Sequence, residues 1–219
     1  MTTCPLSDSL GHARKQPEIL ISGGDPAGIG PECLQSIFPE VLRSRYPVRY
    51  FCTASDEHID FLRKTASEAG LSTELLSSGR RGPCRAAISI FRLNGRRLRP
   101  GKVSGRLSFY ALRAACEYSK TVPVRGLLTL PLSKEFVMEA GHKDFSGHTG
   151  YLKDFFAVPE VVMLMHGRRF SVIPLTEHVA LRRVSEILLQ RLQRASLRDL
   201  LLRLSQKKVF AGRPIVICG

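Results

Sequence analysis

The first residues of this chain that could do chemistry lie in the stretch GGDPAGIGPE, positions 23–32, where Asp25 sits in a glycine-rich turn. The turn follows the apolar run EILIS and precedes a helical pattern whose first residues, Pro31 and Glu32, are typical of a helix start. Such a loop in an α/β sheet can offer free backbone N–H groups to an anion. The dinucleotide fingerprint GxGxxG fails because Cys33 stands where its third glycine should be, and GK[ST] is absent. The stretch therefore predicts either a ligand loop or a tight turn that needs glycine for its dihedral angles.

In two later stretches, polar side chains also follow apolar runs in the sequence. In LTLPLSKEFVMEAGHKDFSGHTGYL, Lys134 opens a helical segment, and a polar loop then presents His148 and Thr149 between glycines. These side chains could bind an anion or a hydroxy acid. In FSVIPLTEHVALRRVSE, His178 follows a strand-like run and could ligate a metal through a neutral ring nitrogen. Each has a structural alternative: a solvated Lys134, a turn residue at His148 and a structural histidine at 178.

These stretches require a scaffold that alternates strands with helices. Strand-like runs occur at 18–22, 48–54, 126–131, 161–166, 169–175 and 214–219, and helical spacing occurs at 32–44, 58–70, 104–120 and 181–208. The alternation predicts an α/β fold with a largely parallel sheet, whose short β-branched runs are typical of strands buried on both faces. Residues 74–99 are less regular and could form an antiparallel edge or a small subdomain.

Composition limits the class of protein. The 219 residues are 43% hydrophobic, enough for one large domain or two small ones. No apolar run near the start is long enough for a signal peptide, and none elsewhere could span a bilayer, so we expect a cytoplasmic protein without membrane contact. The six cysteines are widely spaced and show no CxxC motif, which predicts reduced thiols.

The formal net charge is +14, from 33 Lys and Arg against 19 Asp and Glu. Such an excess raises nucleic acid or another anion as a partner. No RNP motif, zinc finger or helix-turn-helix accompanies the basic clusters, and tryptophan is absent. We therefore interpret the charge as solvated surface and expect no nucleic-acid partner.

Taken in order, the three stretches resemble the 4-hydroxythreonine-4-phosphate dehydrogenase family of pyridoxal phosphate biosynthesis. The resemblance rests on GDPAGIGPE, then P-x-x-K with AGH and GHT, then T-x-H before an LR-containing helix, and it extends from about Glu18 to Gly219. It implies a two-lobed α/β fold of the isocitrate and isopropylmalate dehydrogenase type, assembled as a homodimer. It also implies NAD-dependent oxidation, with loss of carbon dioxide, of a phosphorylated hydroxy-amino acid, 4-phosphohydroxy-L-threonine. A divalent metal, zinc, magnesium or cobalt, would act as Lewis acid.

The resemblance assigns roles by position. His148 and Thr149 would contact substrate, and His178 would be one metal ligand. Lys134 and Asp25 match positions near the cleft and are predicted to be catalytic. The resemblance leaves the NAD-binding residues unassigned.

The chain departs from the family pattern at several polar positions. Ser22 and Gly23 replace threonine and proline, Gly150 replaces a glutamate after GHT, Glu177 replaces a threonine, and Arg183 replaces an aspartate. The changes at 150, 177 and 183 alter the charge near the expected site.

The sequence predicts a flexible tail over residues 1–16 and an incomplete two-lobed unit over 17–219, without fixing the lobe boundary. Family chains continue after PIVICG into segments that supply two further metal histidines, so we expect the C-terminal part of the fold to be missing. Two hypotheses follow. One is a family dehydrogenase represented in part, and the other is a truncated, non-catalytic remnant or an anion- or nucleic-acid-binding protein.

Overall fold

The computed structural model describes residues 16–52, 55–77, 88–92, 99–167, 169–177 and 179–206. The chain divides into two compact units, Met1–Phe145 (unit 1) and Ser146–Gly219 (unit 2). Within the described ranges, no helix is both long and apolar enough to cross a membrane.

Unit 1 alternates strands with helices, as the sequence predicts. Its elements are β1 (Glu18–Ser22), α1 (Gly30–Leu42), β2 (Val48–Cys52), α2 (Asp56–Glu68), β3 (Thr73–Ser77), β4 (Ile88–Arg92), α3 (Lys102–Ser119), β5 (Val124–Thr129) and α4 (Lys134–Glu139). Local signals explain several helix starts: a proline lies in the first turn of α1, and the side chains of Ser55 and Ser133 cap α2 and α4.

The five strands form one parallel sheet in the order β3-β4-β2-β1-β5. The expectation of an antiparallel edge or a small subdomain within 74–99 is wrong for the strands described there. β3 and β4 pair in parallel, and β4 lies between β3 and β2. Glycine, proline and arginine residues around AISIF make this region look irregular in the sequence. The polar Ser89 of β4 is nevertheless fully buried and accepts a hydrogen bond from Arg49.

Helices cover both faces of this sheet, because successive residues of a strand point to opposite faces. Ile21 and Tyr50 pack with Leu34 of α1 and Ile59 of α2 in one core cluster. A second cluster joins the opposite strand faces to α3 and includes Leu20, Phe51, Ala115 and Tyr118. The chain therefore has the α/β architecture that its alternation predicts.

A buried ion pair joins the first two strands. Glu18 accepts hydrogen bonds from Nε of Arg49 at 2.9 Å and from Nη2 at 3.1 Å. The Tyr118 hydroxyl donates to the same carboxylate at 3.0 Å, and Arg49 also donates to Ser89 at 3.1 Å. The pair lies near the amino ends of the strands, at the opposite edge of the sheet from the glycine-rich loop.

Unit 2 has shorter elements than the sequence predicts. They are α5 (His148–Phe155), β6 (Met165–His166), β7 (Ser171–Val172), a 3-10 turn (Leu181–Arg183), α6 (Val184–Leu192) and α7 (Ala195–Ser205). The strand-like runs 161–166 and 169–175 reduce to a two-residue antiparallel pair, and the helical region 181–208 breaks between α6 and α7. The predicted strand 214–219 lies outside the described residues.

Unit 2 buries little apolar surface. Among its described residues, Leu197 is the one hydrophobic side chain that is buried, whereas Phe170 is 70% and Leu181 89% exposed. Met163 and Met165, in the run predicted to be a buried strand, are also exposed. The prediction of a buried strand is therefore wrong for these side chains.

Candidate active-site loops

The glycine-rich loop between β1 and α1 crosses the carboxyl edge of the sheet beside the end of β5. Gly24 has φ +66°, and a Cβ placed on it would overlap the carbonyl oxygen of Pro131. The next backbone N–H, of Asp25, donates to that same oxygen at 2.8 Å. The glycine therefore permits a close approach of two backbone segments that no other residue type would allow.

The side chain of Asp25 holds this loop in shape. It is 5% exposed, and its Oδ1 accepts from the Ala27 N–H at 2.9 Å. Its backbone oxygen accepts from the Gly28 N–H at 3.0 Å, and the Ser104 hydroxyl lies 3.4 Å from Oδ2. Both carboxylate oxygens thus face groups of the protein itself.

Lys134 is the first residue of α4 and lies at the same sheet edge as the Asp25 loop. β1 and β5 are parallel neighbours, so the loops that follow them leave from the same edge. α4 is held closely against α3, because a Cβ on Gly105 would overlap the backbone of Phe136. The exposed Lys134 carries a positive charge at a helix amino end, where it opposes the helix dipole. Its charge does not stabilise α4, and the side chain is exposed to solvent, where an anion can reach it.

A cleft of about 540 Å³ opens between the amino ends of α1 and α2, and we call it the α1–α2 cleft. Its walls include residues of the glycine-rich loop and of both helix starts, among them Ala27, Glu32, Gln35, Glu57, His58 and Phe61. No motif in the sequence predicts this cleft. One local signal points to it: the Ser55 side chain caps α2, so this helix starts at the same sheet edge as the glycine-rich loop.

His58 is the polar side chain buried most deeply in this wall. It is 4% exposed, and its Nδ1 lies 3.2 Å from Nε2 of Gln35. Burial lowers the pKa of His58, although the nearby Glu32 carboxylate acts in the opposite direction. Its Nε2 is buried and has no hydrogen-bond partner among the described residues. A buried polar atom of this kind marks a place where a ligand or water can bind.

In unit 2, His148 and Thr149 begin helix α5, which corrects the expectation that a polar loop presents them. Gly147 is the N-cap residue of this helix, with φ +114°, and it provides no side-chain cap. His148 is half-buried, burial lowers its pKa, and its Nε2 has no partner among the described residues. Thr149 is exposed. A Cβ on Gly150 would overlap the hydroxyl of Ser146, so the missing glutamate has no room unless Ser146 moves.

The proposed metal ligand, His178, lies outside the described residues. Within the described ranges, no three His, Cys, Asp or Glu side chains are grouped so that they could hold a metal ion. These residues therefore do not fit a metal site by themselves.

Comparison with known proteins identifies the relatives of the chain. The family model described as pyridoxal phosphate biosynthetic protein PdxA matches residues 51–219. The 4-hydroxythreonine-4-phosphate dehydrogenase of Chromobacterium violaceum is 28% identical over 212 residues, which are 94% of this chain and 62% of the relative. The D-threonate 4-phosphate dehydrogenase of Salmonella typhimurium is 28% identical over 180 residues, 78% of this chain and 53% of the relative.

A solved structure supports the same relationship. The crystal structure of 4-hydroxythreonine-4-phosphate dehydrogenase from Klebsiella pneumoniae superposes with a TM-score of 0.63 at 26% identity, covering 88% of this chain and 61% of that one. The chain spans about three fifths of the length of the Chromobacterium relative and of this structure.

Proposed function

Because the chain belongs to the pyridoxal phosphate biosynthetic protein PdxA family, we propose that it acts as an NAD-dependent oxidoreductase whose substrates are phosphorylated hydroxy acids. The relatives are named as dehydrogenases of 4-hydroxythreonine 4-phosphate and of D-threonate 4-phosphate. Both names describe a small acid that carries a hydroxyl group and a phosphate. We propose 4-phosphohydroxy-L-threonine as the substrate, oxidised with loss of carbon dioxide, in pyridoxine biosynthesis.

One observation in unit 1 carries this proposal: the Asp25 loop and Lys134 share the carboxyl edge of two neighbouring parallel strands. Ligands of open α/β sheets bind at this edge. The exposed Lys134 ammonium is suited to a phosphate or carboxylate group of the substrate. Since its charge is unfavourable for α4 itself, ligand binding gives a physical reason for its position.

We propose that His148 and Thr149 contact the substrate. Oxidation removes a hydride from the carbon that bears the hydroxyl and a proton from the oxygen, and NAD supplies the hydride acceptor when bound. Burial lowers the pKa of His148, so its ring is neutral at pH 7 and can accept a hydrogen bond or a proton from a hydroxyl. The Thr149 hydroxyl can donate to or accept from the same group.

For Asp25 we propose a positioning role. Its buried carboxylate organises the loop through Ala27 and Ser104 and does not face solvent. An Asp25→Asn variant keeps the shape of the side chain and loses its charge. We expect it to raise KM and to lower the free energy of unfolding together, because the loop loosens.

The remaining parts of the proposal concern metal and assembly. We propose a divalent metal, zinc, magnesium or cobalt, with His178 as one ligand. We also propose the two-lobed isocitrate dehydrogenase type of fold and a homodimer.

The test is NADH formation by the full-length protein with 4-phosphohydroxy-L-threonine and with D-threonate 4-phosphate. We expect turnover that Lys134→Ala lowers by roughly tenfold or more, because a charge-assisted contact to the substrate is lost. Lys64→Ala, which removes an exposed lysine from α2, is the matched control and should keep full activity. Absence of turnover together with salt-sensitive binding of nucleic acid would favour the non-catalytic alternative.

A further inference from the structure

We propose that the α1–α2 cleft binds a nucleoside whose ribose carries free 2′ and 3′ hydroxyls. The inference rests on the proposed NAD dependence and names the residues that would hold one nucleoside of that cofactor. The evidence for it is the lining of the cleft, which combines the carboxylates of Glu32 and Glu57, the buried imidazole of His58 and the exposed ring of Phe61.

The acidic residues of the cleft favour hydroxyl groups over phosphate. Glu32 lies in the first turn of α1 and Glu57 in the first turn of α2, and both line the cleft. The positive end of a helix dipole normally attracts anions. Here the carboxylates of Glu32 and Glu57 already interact with the dipoles of α1 and α2. A phosphate would be repelled by two negative charges, whereas a vicinal diol can donate to them. The cleft therefore selects an uncharged, hydroxyl-rich group.

The buried imidazole supplies a donor. The amide nitrogen of Gln35 can only donate, so Nδ1 of His58 accepts and the neutral ring carries its proton on Nε2. That N–H is the atom without a partner among the described residues. A ribose or base acceptor would satisfy it, and the orphaned N–H thus gives the fit that a bound nucleoside requires.

An aromatic ring completes the site. Phe61 is 42% exposed and lines the cleft one helical turn after Glu57, so the two side chains share a face of α2. A planar base can stack on such a ring while the ribose reaches the carboxylate. The cleft volume of about 540 Å³ lies in the range of small-ligand pockets and leaves room for a nucleoside.

The same carboxylates set the choice of cofactor. A glutamate that accepts from the ribose 2′ hydroxyl suits NAD, and a 2′ phosphate in its place would meet like charge. We therefore expect Glu32 and Glu57 to disfavour NADP and adenosine 2′-monophosphate.

Calorimetric titration of the full-length protein tests the site without any turnover. Adenosine should bind, while 2′,3′-dideoxyadenosine and adenosine 2′-monophosphate should each bind about tenfold more weakly or worse. Glu57→Gln and Phe61→Ala should weaken adenosine binding by about tenfold. Glu68→Gln, at the exposed far end of α2, is the matched control and should leave binding unchanged.

The outcomes separate this inference from the proposed function. Equal affinity for adenosine and its dideoxy analogue overturns the site, and this comparison needs no variant that must fold. NAD-dependent turnover without adenosine binding, or with binding that Glu57→Gln and Phe61→Ala leave intact, also overturns the site and keeps the function. Hydroxyl-dependent adenosine binding that both variants lose supports the site even if the proposed substrate is not oxidised.

Discussion

Replacing Gly24 by alanine should destabilise unit 1 and disturb the glycine-rich loop. The left-handed backbone at φ +66° costs an ordinary residue about 1–2 kcal/mol. The new Cβ would also overlap the oxygen of Pro131, so the loop and β5 must separate and the 2.8 Å bond from the Asp25 N–H is lost. A lost hydrogen bond adds about 1 kcal/mol, and the total is about 2–3 kcal/mol.

Gly70 provides a matched control for this experiment. It has φ +71° at the end of α2, and nothing lies within 4 Å of a Cβ placed on it. Gly70→Ala should therefore cost only the dihedral term, about 1–2 kcal/mol. Urea unfolding followed by far-UV circular dichroism measures both variants. Equal losses at the two glycines would refute the reasoning, because the contact with Pro131 would then carry no energy.

Three further changes test the buried pair, the histidines and the lysine. Arg49→Met leaves the Glu18 carboxylate buried without its countercharge, so it should lower the free energy of unfolding in urea by about 3–5 kcal/mol. The double variant that also carries Glu18→Leu should recover most of that free energy. Burial lowers the pKa values of His58 and His148, so the unfolded state binds more protons, and the free energy of unfolding should fall as pH drops below the ordinary value of 6.5. A His58→Asn variant should show a shallower fall between roughly pH 8 and pH 5, and an unchanged slope would contradict the assignment. Lys134→Arg should retain more kcat/KM than Lys134→Ala, and equal losses would mean that the positive charge is not what the substrate requires.

The local pattern of unit 1 could be predicted because it depends on neighbouring residues. The run EILIS predicts β1 at its observed bounds, and the helix-start residues after the glycine-rich turn predict α1 to within two residues. The apolar run that ends at Pro131 likewise predicts that Lys134 opens the next helix. Apolar periodicity and capping act over a few residues, so a sequence displays them directly.

Unit 2 shows where local pattern misleads. The apolar run 161–166 predicts a buried strand, yet only Met165–His166 pairs, and Met165 is exposed. His148 and Thr149, with glycines on both sides, look like loop residues, but they are the first two residues of α5. Burial and strand pairing depend on the segments that pack against a strand. Those segments can be distant in the sequence, so the local pattern does not identify them.

By itself the sequence determined the alternation of strands and helices in unit 1, the positions of β1 and α1 to within two residues, and the family to which the chain belongs. Tertiary structure alone decided that β5 lies beside β1, so that Asp25 bonds to Pro131 more than a hundred positions later. It also decided that β4 is a central strand and that His58 lines a cleft with Glu32 and Glu57. The reason is physical: strand order and the grouping of side chains around a cleft come from contacts between distant segments, whose energies depend on the whole packed sheet.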